Sequence, residues 1–201
     1  MPNDEWTQVR TVKDVQLPLK PAAMRIYKSI FPNCRLEDLR EEGIKVHILD
    51  KEFGIDSILH LESGQWLSIQ EKYRDYPFHK FHDFTQEIKN GDGSPGEWEK
   101  LGAQLYFYGW GNPDKSAFVE WFLISIPHYK LIIERNGGIL KAGKQQQNQR
   151  DGRAKFVGIP FNMIKPAILY FGTQQAYVRR LSDKVFSNPW PLLPLNQEPH
   201  P

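Results

Sequence analysis

The sequence predicts an α/β domain, with strands gathered in one mixed sheet and helices on its flanks. Three observations predict it. Residues 55–61 and 65–74 are two alternating apolar–polar runs joined by a glycine-containing turn, the pattern of a β-hairpin. Residues 21–31 and 97–110 read instead as helices on either side of that hairpin. The chain has 201 residues, 40% of them apolar, which is enough for one sizeable core and one domain.

Composition narrows the function classes. The net charge is only +2, so any nucleic-acid contact must rest on a local basic patch rather than on a polycationic chain. The mean hydropathy of −0.56 suits a soluble globular protein. A single cysteine, Cys34, excludes an internal disulfide and a multi-cysteine zinc site and fits a reducing compartment. It reads as a small buried residue rather than a nucleophile. The first residues lack the basic-then-apolar order of a signal peptide. The apolar run 118–126 carries Glu120 and is too short to span a bilayer. The expectation is a soluble, cytoplasmic protein with no membrane partner.

Along the chain, residues 1–20 read as an extended N-terminal arm, 21–185 as the folded domain and 186–201 as a Pro-rich tail. A helix is expected from Pro21, with Met24, Ile26, Tyr27, Ile30 and Phe31 on its apolar face and Pro32 ending it. Residues 36–42 read as a short acidic helix or turn closed by Gly43, and 44–49 as a first strand. Residues 50–54 read as a tight link into the hairpin. Residues 75–96 read as polar and irregular, with a short helix around 84–88 and a Gly/Pro loop over 90–96. In the expected helix 97–110, the early acids suit the positive end of the helix dipole, and Gly109 and Gly111 end it. Residues 117–126 read as a buried strand, 127–134 as helix or strand, 136–138 as a turn and 141–153 as a low-complexity loop. Residues 155–160 resume a strand, at an edge because of Pro160, and 164–181 are weakly helical.

The hairpin carries the chemistry. Asp56 lies early in its first strand; Gln70 and Lys72 lie late in the second, two apart and so on one face. Burying such a polar row without partners is costly. The turn decides whether Asp56 joins that face. A two-residue turn at Ser63-Gly64 would set Asp56 opposite Glu71, whereas a three-residue loop, Glu62-Ser63-Gly64, sets it opposite Gln70. Gly64 suits the left-handed position of the longer loop, so the three-residue loop is predicted.

The expected order is helix, strand, strand, strand, helix, strand. With it come Phe53-Gly54-Ile55-Asp56 and then Ile69-Gln70-Glu71-Lys72-Tyr73. This combination resembles the PD-(D/E)XK nuclease superfamily, in the Asp…Gln-x-Lys variant of Mrr-like domains. Gln104-Leu105-Tyr106-Phe107-Tyr108 looks like the Q-x-x-x-Y helix of RecB-type branches. The resemblance spans roughly residues 24–126. It implies a restriction-endonuclease-like core and Mg²⁺-dependent hydrolysis of phosphodiester bonds in DNA, with Mn²⁺ as an alternative metal. It implies metal ligation by Asp56 and Gln70, with the Glu71 backbone carbonyl as a further donor, and a catalytic role for Lys72. Gln104 and Tyr108, four apart on one helical face, would contact phosphate or orient Lys72. Gln70 stands where most relatives carry an acid, so the site is one negative charge short; Glu41 or Glu42 are candidate sources of that charge.

Other features admit two readings. Lys141, Lys144, Arg150, Arg153 and Lys155, interleaved with Gln145, Gln146 and Gln147, suit phosphate contact or a solvated loop. His79, His82 and Asp83 have a spacing that a transition metal could use, but they read better as a polar loop or an approach to substrate. Trp98, Tyr106, Phe107 and Trp110 read mostly as core. The nuclease would act alone, as a homo-oligomer or with a separate protein partner. The competing reading, from a different class, is a nucleic-acid-binding or assembly subunit that keeps the fold without cleavage.

Overall fold

The computed structural model describes residues 15–39, 47–147, 154–173 and 176–180. Helix α1, Leu17–Ile30, is followed by strand β1, Arg35–Asp38, and helix α2, His47–Phe53. Strands β2, Ser57–His60, and β3, Trp66–Arg74, form the hairpin. A 3-10 segment, Tyr76–Phe81, leads to β4, Asp83–Lys89, and a one-turn helix α3, Glu97–Lys100. Then come β5, Leu105–Gly111, β6, Phe118–Ser125, and helix α4, Ile126–Arg135. The remaining elements are β7, Lys144–Gln147, β8, Lys155–Pro160, the one-turn helix α5, Phe161–Ile164, a second 3-10 turn, Lys165–Ala167, and strands β9, Ile168–Thr173, and β10, Ala176–Arg180. No helix among the described residues is long and apolar enough to cross a membrane.

The fold is mixed α/β. A seven-stranded sheet has the order β1-β2-β3-β5-β6-β9-β10, and a three-stranded sheet has the order β4-β8-β7. In the larger sheet β3 and β5 run parallel and the other neighbours run antiparallel. Each face of this sheet carries a core. Tyr106, Tyr108, Trp110, Phe122 and Ile124 pack with Phe84 and Val157 of the small sheet and Tyr129 of α4. On the other face Leu59, Ile69, Tyr73, Leu105, Phe107 and Leu123 pack with Leu19, Ala23 and Tyr27 of α1.

The hairpin forms as predicted. Ser57 pairs with Ile69 and His60 with Trp66, which leaves Glu62-Ser63-Gly64 as the loop, with Gly64 at φ +80. The strand over 117–126, the helical option for 127–134 and the turn at Asn136-Gly137-Gly138 also form.

Several expectations are corrected. The first helix starts at Leu17, inside the expected arm, because Leu19, Ala22, Ala23 and Tyr27 make its buried face; Pro21 lies within it. Residues 35–38 are a strand, since Leu36 pairs with Leu59 across the sheet, and His47–Phe53 is a helix where strand and link were expected. Asp83–Lys89 is a strand, paired to β8. The largest correction is 97–110, where only Glu97–Lys100 is helical and Leu105–Gly111 is a central strand buried at every position. An aromatic run covered on both faces has high strand propensity and no alternation to announce it. Lys144–Gln147 is a strand rather than loop, β8 is the middle strand of its sheet, and residues 168–173 and 176–180 are strands rather than helix.

Candidate functional site

The site assembles where the hairpin opens beside α3. Asp56 stands just before β2. Its N–H donates to Ile69 O at 2.9 Å, and its Oδ2 accepts the Glu71 N–H at 2.6 Å. The buried carboxylate is thus held against the backbone between Gln70 and Lys72. Gln70, 8% exposed, has an Oε1 with no hydrogen-bond partner among the described residues. That oxygen lies against Gly54, where an added Cβ would come within 3.0 Å of it and 3.2 Å of Lys100 O. Gly54 also has φ +57, a conformation that disfavours a side chain by about 1–2 kcal/mol. The glycine therefore lets the chain pass between Gln70 and the end of α3. This close passage brings α3 to the hairpin, helped by the Gly102 N–H bond to Phe53 O at 2.9 Å.

Lys72 is the next residue on the Gln70 face. Its Nζ donates to Glu97 Oε2 at 2.6 Å, and the other Glu97 oxygen accepts from Tyr106 OH. Burial, and then the Glu97 charge, push the Tyr106 phenol well above its usual range, so it stays a neutral donor. Lys72 is thus paired to Glu97, while the Asp56 carboxylate is held on the strand backbone. Sequence reasoning missed Glu97 because a single helical turn has no period to read. The one signal was its place at the end of the Gly/Pro loop, as the first residue of a helix.

Glu71 has a different environment. Its side chain turns to the α1 face, as strand alternation requires, and is buried there. One oxygen accepts from Tyr27 OH at 3.0 Å and from Tyr73 OH; the other accepts from Ser57 Oγ at 2.9 Å and from Lys20. Lys20 also pairs with Asp38 at 2.7 Å. Only the Glu71 backbone lies near the Gln70–Lys72 face.

Gln104 and Tyr108 do not share a helical face. Both belong to the β5 region rather than a helix, so four residues separate them along an extended strand instead of stacking them one turn apart. Gln104 Oε1 accepts the Ser68 N–H at 2.9 Å, and its own N–H reaches Ser68 Oγ at 3.0 Å, which ties the start of β5 to β3. Tyr108 is fully buried and donates to Asp83 O at 3.1 Å, with Thr85 Oγ1 2.8 Å away.

Lys141 and Lys144 are exposed, with Lys144 opening β7 at the edge of the smaller sheet rather than on the hairpin's sheet. Arg150, Arg153, Glu41 and Glu42, together with 1–14 and the Pro-rich tail, lie outside the described residues. His79 and His82 both place Nε2 on Glu120 Oε2, at 3.0 and 2.9 Å. Among the described residues no group of three or more His, Cys, Asp or Glu is arranged to hold a metal ion. Cys34 is buried, and burial raises its thiol pKa, which suits a packing role.

No family model, curated protein or solved structure matches the chain.

Proposed function

We propose that the chain is a Mg²⁺-dependent nuclease of the PD-(D/E)XK type that hydrolyses phosphodiester bonds in DNA. The observation that carries this reading is the buried Gln70 Oε1, without a hydrogen-bond partner among the described residues, on the strand whose next backbone N–H holds the Asp56 carboxylate, with Lys72 next on the same strand face. A buried oxygen without a hydrogen bond costs about 1–3 kcal/mol, so its retention suggests a partner that arrives with function. The donor set suits a hard cation: the Asp56 carboxylate, Gln70 Oε1 and the Glu71 backbone carbonyl are all oxygen. A divalent cation there would lower the pKa of a bound water and offset phosphate charge. Lys72 Nζ would hold the attacking water or a phosphate oxygen, and Glu97 would release Lys72 as the substrate competes for it. Tyr106 keeps Glu97 in place during that exchange.

The topology supports the reading. The run β1-β2-β3-β5 is antiparallel up to β3 and parallel between β3 and β5, so a crossover joins β3 to its neighbour, although β1 and β5 are built from other residues than the first and fourth strands expected, 44–49 and 117–126. The crossover differs from the expected long helix, because it consists of β4 in the second sheet and the single turn α3. The expected Q-x-x-x-Y helix no longer contributes.

The test is cleavage of single-stranded, duplex and branched DNA by the pure protein with Mg²⁺ or Mn²⁺. Cleavage should stop in chelator, and Lys72→Ala should lower its rate by about a hundredfold or more while circular dichroism shows the fold retained. Undiminished cleavage by the variant would sink the reading. The second reading, a binding or assembly subunit without cleavage, is favoured by one observation: Lys72 is already ion-paired to Glu97. It predicts binding of DNA and cleavage of none of the three substrates.

A further inference from the structure

The 3-10 segment Tyr76–Phe81 has its polarity inverted. Its rings face out, with Tyr76 45%, Phe78 45% and Phe81 60% exposed. Among its six residues only His79 is not exposed. Nowhere else among the described residues do three exposed large apolar side chains fall within six positions. Scattered exposed apolar side chains are ordinary, but a cluster of them marks a contact surface.

The segment is fixed rather than loosely tethered. The His79 ring packs edge-on to buried Trp110 at 5.1 Å, and the His82 ring stacks on it at 5.9 Å and 14°. Both imidazoles bond the same Glu120 oxygen of β6. The Asp75 carboxylate accepts the Tyr76 N–H at 3.0 Å, and the His82 N–H closes the far end onto His79 O. Cations are interleaved with the outward rings. The Arg74 guanidinium lies 4.8 Å from the Phe78 centroid, and Lys80 Nζ lies 5.1 Å from that of Phe81. Arg74 and Lys72 occupy the same face of β3, about 7 Å apart along the strand.

We propose that Tyr76–Phe81 is a base-stacking platform for single-stranded nucleic acid, which guides the strand toward Lys72. The purpose of that guidance rests on the nuclease reading, but the binding does not. Single-stranded nucleic acid presents flat apolar faces joined by anionic phosphates, which complements exposed rings alternating with Arg74 and Lys80. A duplex hides its base faces and offers the rings nothing to stack on.

The test is fluorescence anisotropy of a short labelled oligothymidylate and of a long duplex of two annealed strands, with the full chain in EDTA so that no cleavage intervenes. The single strand should bind more tightly. A variant carrying Phe78→Ala and Phe81→Ala should weaken that binding at least about fivefold per ring, with the melting temperature unchanged. Phe78→Trp should keep or tighten it. Equal affinity for the duplex, unchanged binding by the double variant or no binding at all would each overturn the platform. So would a concentration-dependent oligomer that the double variant abolishes, because it would assign the rings to a second copy of this chain. Single-strand binding that depends on the rings, without any metal-dependent cleavage, would sink the nuclease reading alone. Metal-dependent cleavage with binding indifferent to the rings would sink the platform alone.

Discussion

Strand β3 carries polar residues to both faces of the central sheet and treats them in opposite ways. On the α1 face, Glu71 is saturated by Tyr27, Tyr73, Ser57 and Lys20. On the other face, one residue earlier, Gln70 is also buried, yet its Oε1 has no partner among the described residues. Both groups lost water on folding. Only Glu71 has that loss offset by hydrogen bonds and a cation, as a structural ion pair needs. A charge alone therefore does not mark a site; a buried polar atom left unsatisfied is the more telling sign.

Removing each group in turn would sharpen this contrast. Glu71→Ala should be the most damaging, costing about 3–5 kcal/mol in urea unfolding, because it takes the shared anion from two tyrosine hydroxyls and from Lys20, which keeps Asp38. A loss below about 1 kcal/mol would mean that the network contributes little. Tyr106→Phe should cost less, about 1–2 kcal/mol at neutral pH, through loss of the hydrogen bond to Glu97. It also has a pH signature. The Tyr106 phenol is raised in the native state, so its stabilising share is intact below the ordinary tyrosine pKa of about 10 and is lost as pH rises through and beyond it. The Tyr106→Phe variant should lose stability less steeply than wild type in that alkaline range, as followed by melting temperature. Gln70→Met, nearly equal in shape, should change stability least and with the opposite sign, a gain of about 1 kcal/mol together with loss of metal-dependent cleavage. A comparable loss of stability would show that the Gln70 amide is a structural bond and would erase the contrast between the faces.

The hairpin was legible in the sequence because its information is local. Gly64 selects the three-residue loop, and that loop fixes which residues of β2 and β3 stand opposite one another. The nearness of Asp56 to the Gln70–Lys72 stretch followed from that register. What failed depended on distant chain. The acidic segment at Leu36 became a strand only because β2 lies beside it. Leu105–Gly111 lost its alternation because β3 and β6 flank it and cores cover both of its faces. The likeness to a Q-x-x-x-Y helix failed with it, since Gln104 and Tyr108 spend their polar atoms on Ser68, Thr85 and Asp83. Glu97 reaches Lys72 through a one-turn helix held against Gly54, a contact that no residue spacing encodes.

The crossover has a kinetic consequence. After β3 the chain leaves the larger sheet, builds β4 and returns as β5 to lie parallel to β3. Strand β4 finds its ladder partner, among the described residues, in β8, which follows β5, β6 and α4 in the chain. During synthesis from the N-terminus, β4 therefore emerges without its ladder partner until Lys155–Pro160 has been made. Loop-closure entropy must be overcome before such distant pairing is rewarded, so this topology belongs with the slower folders. The ordered crossover that carries Glu97 to Lys72 is thus completed late, after most of the described chain exists.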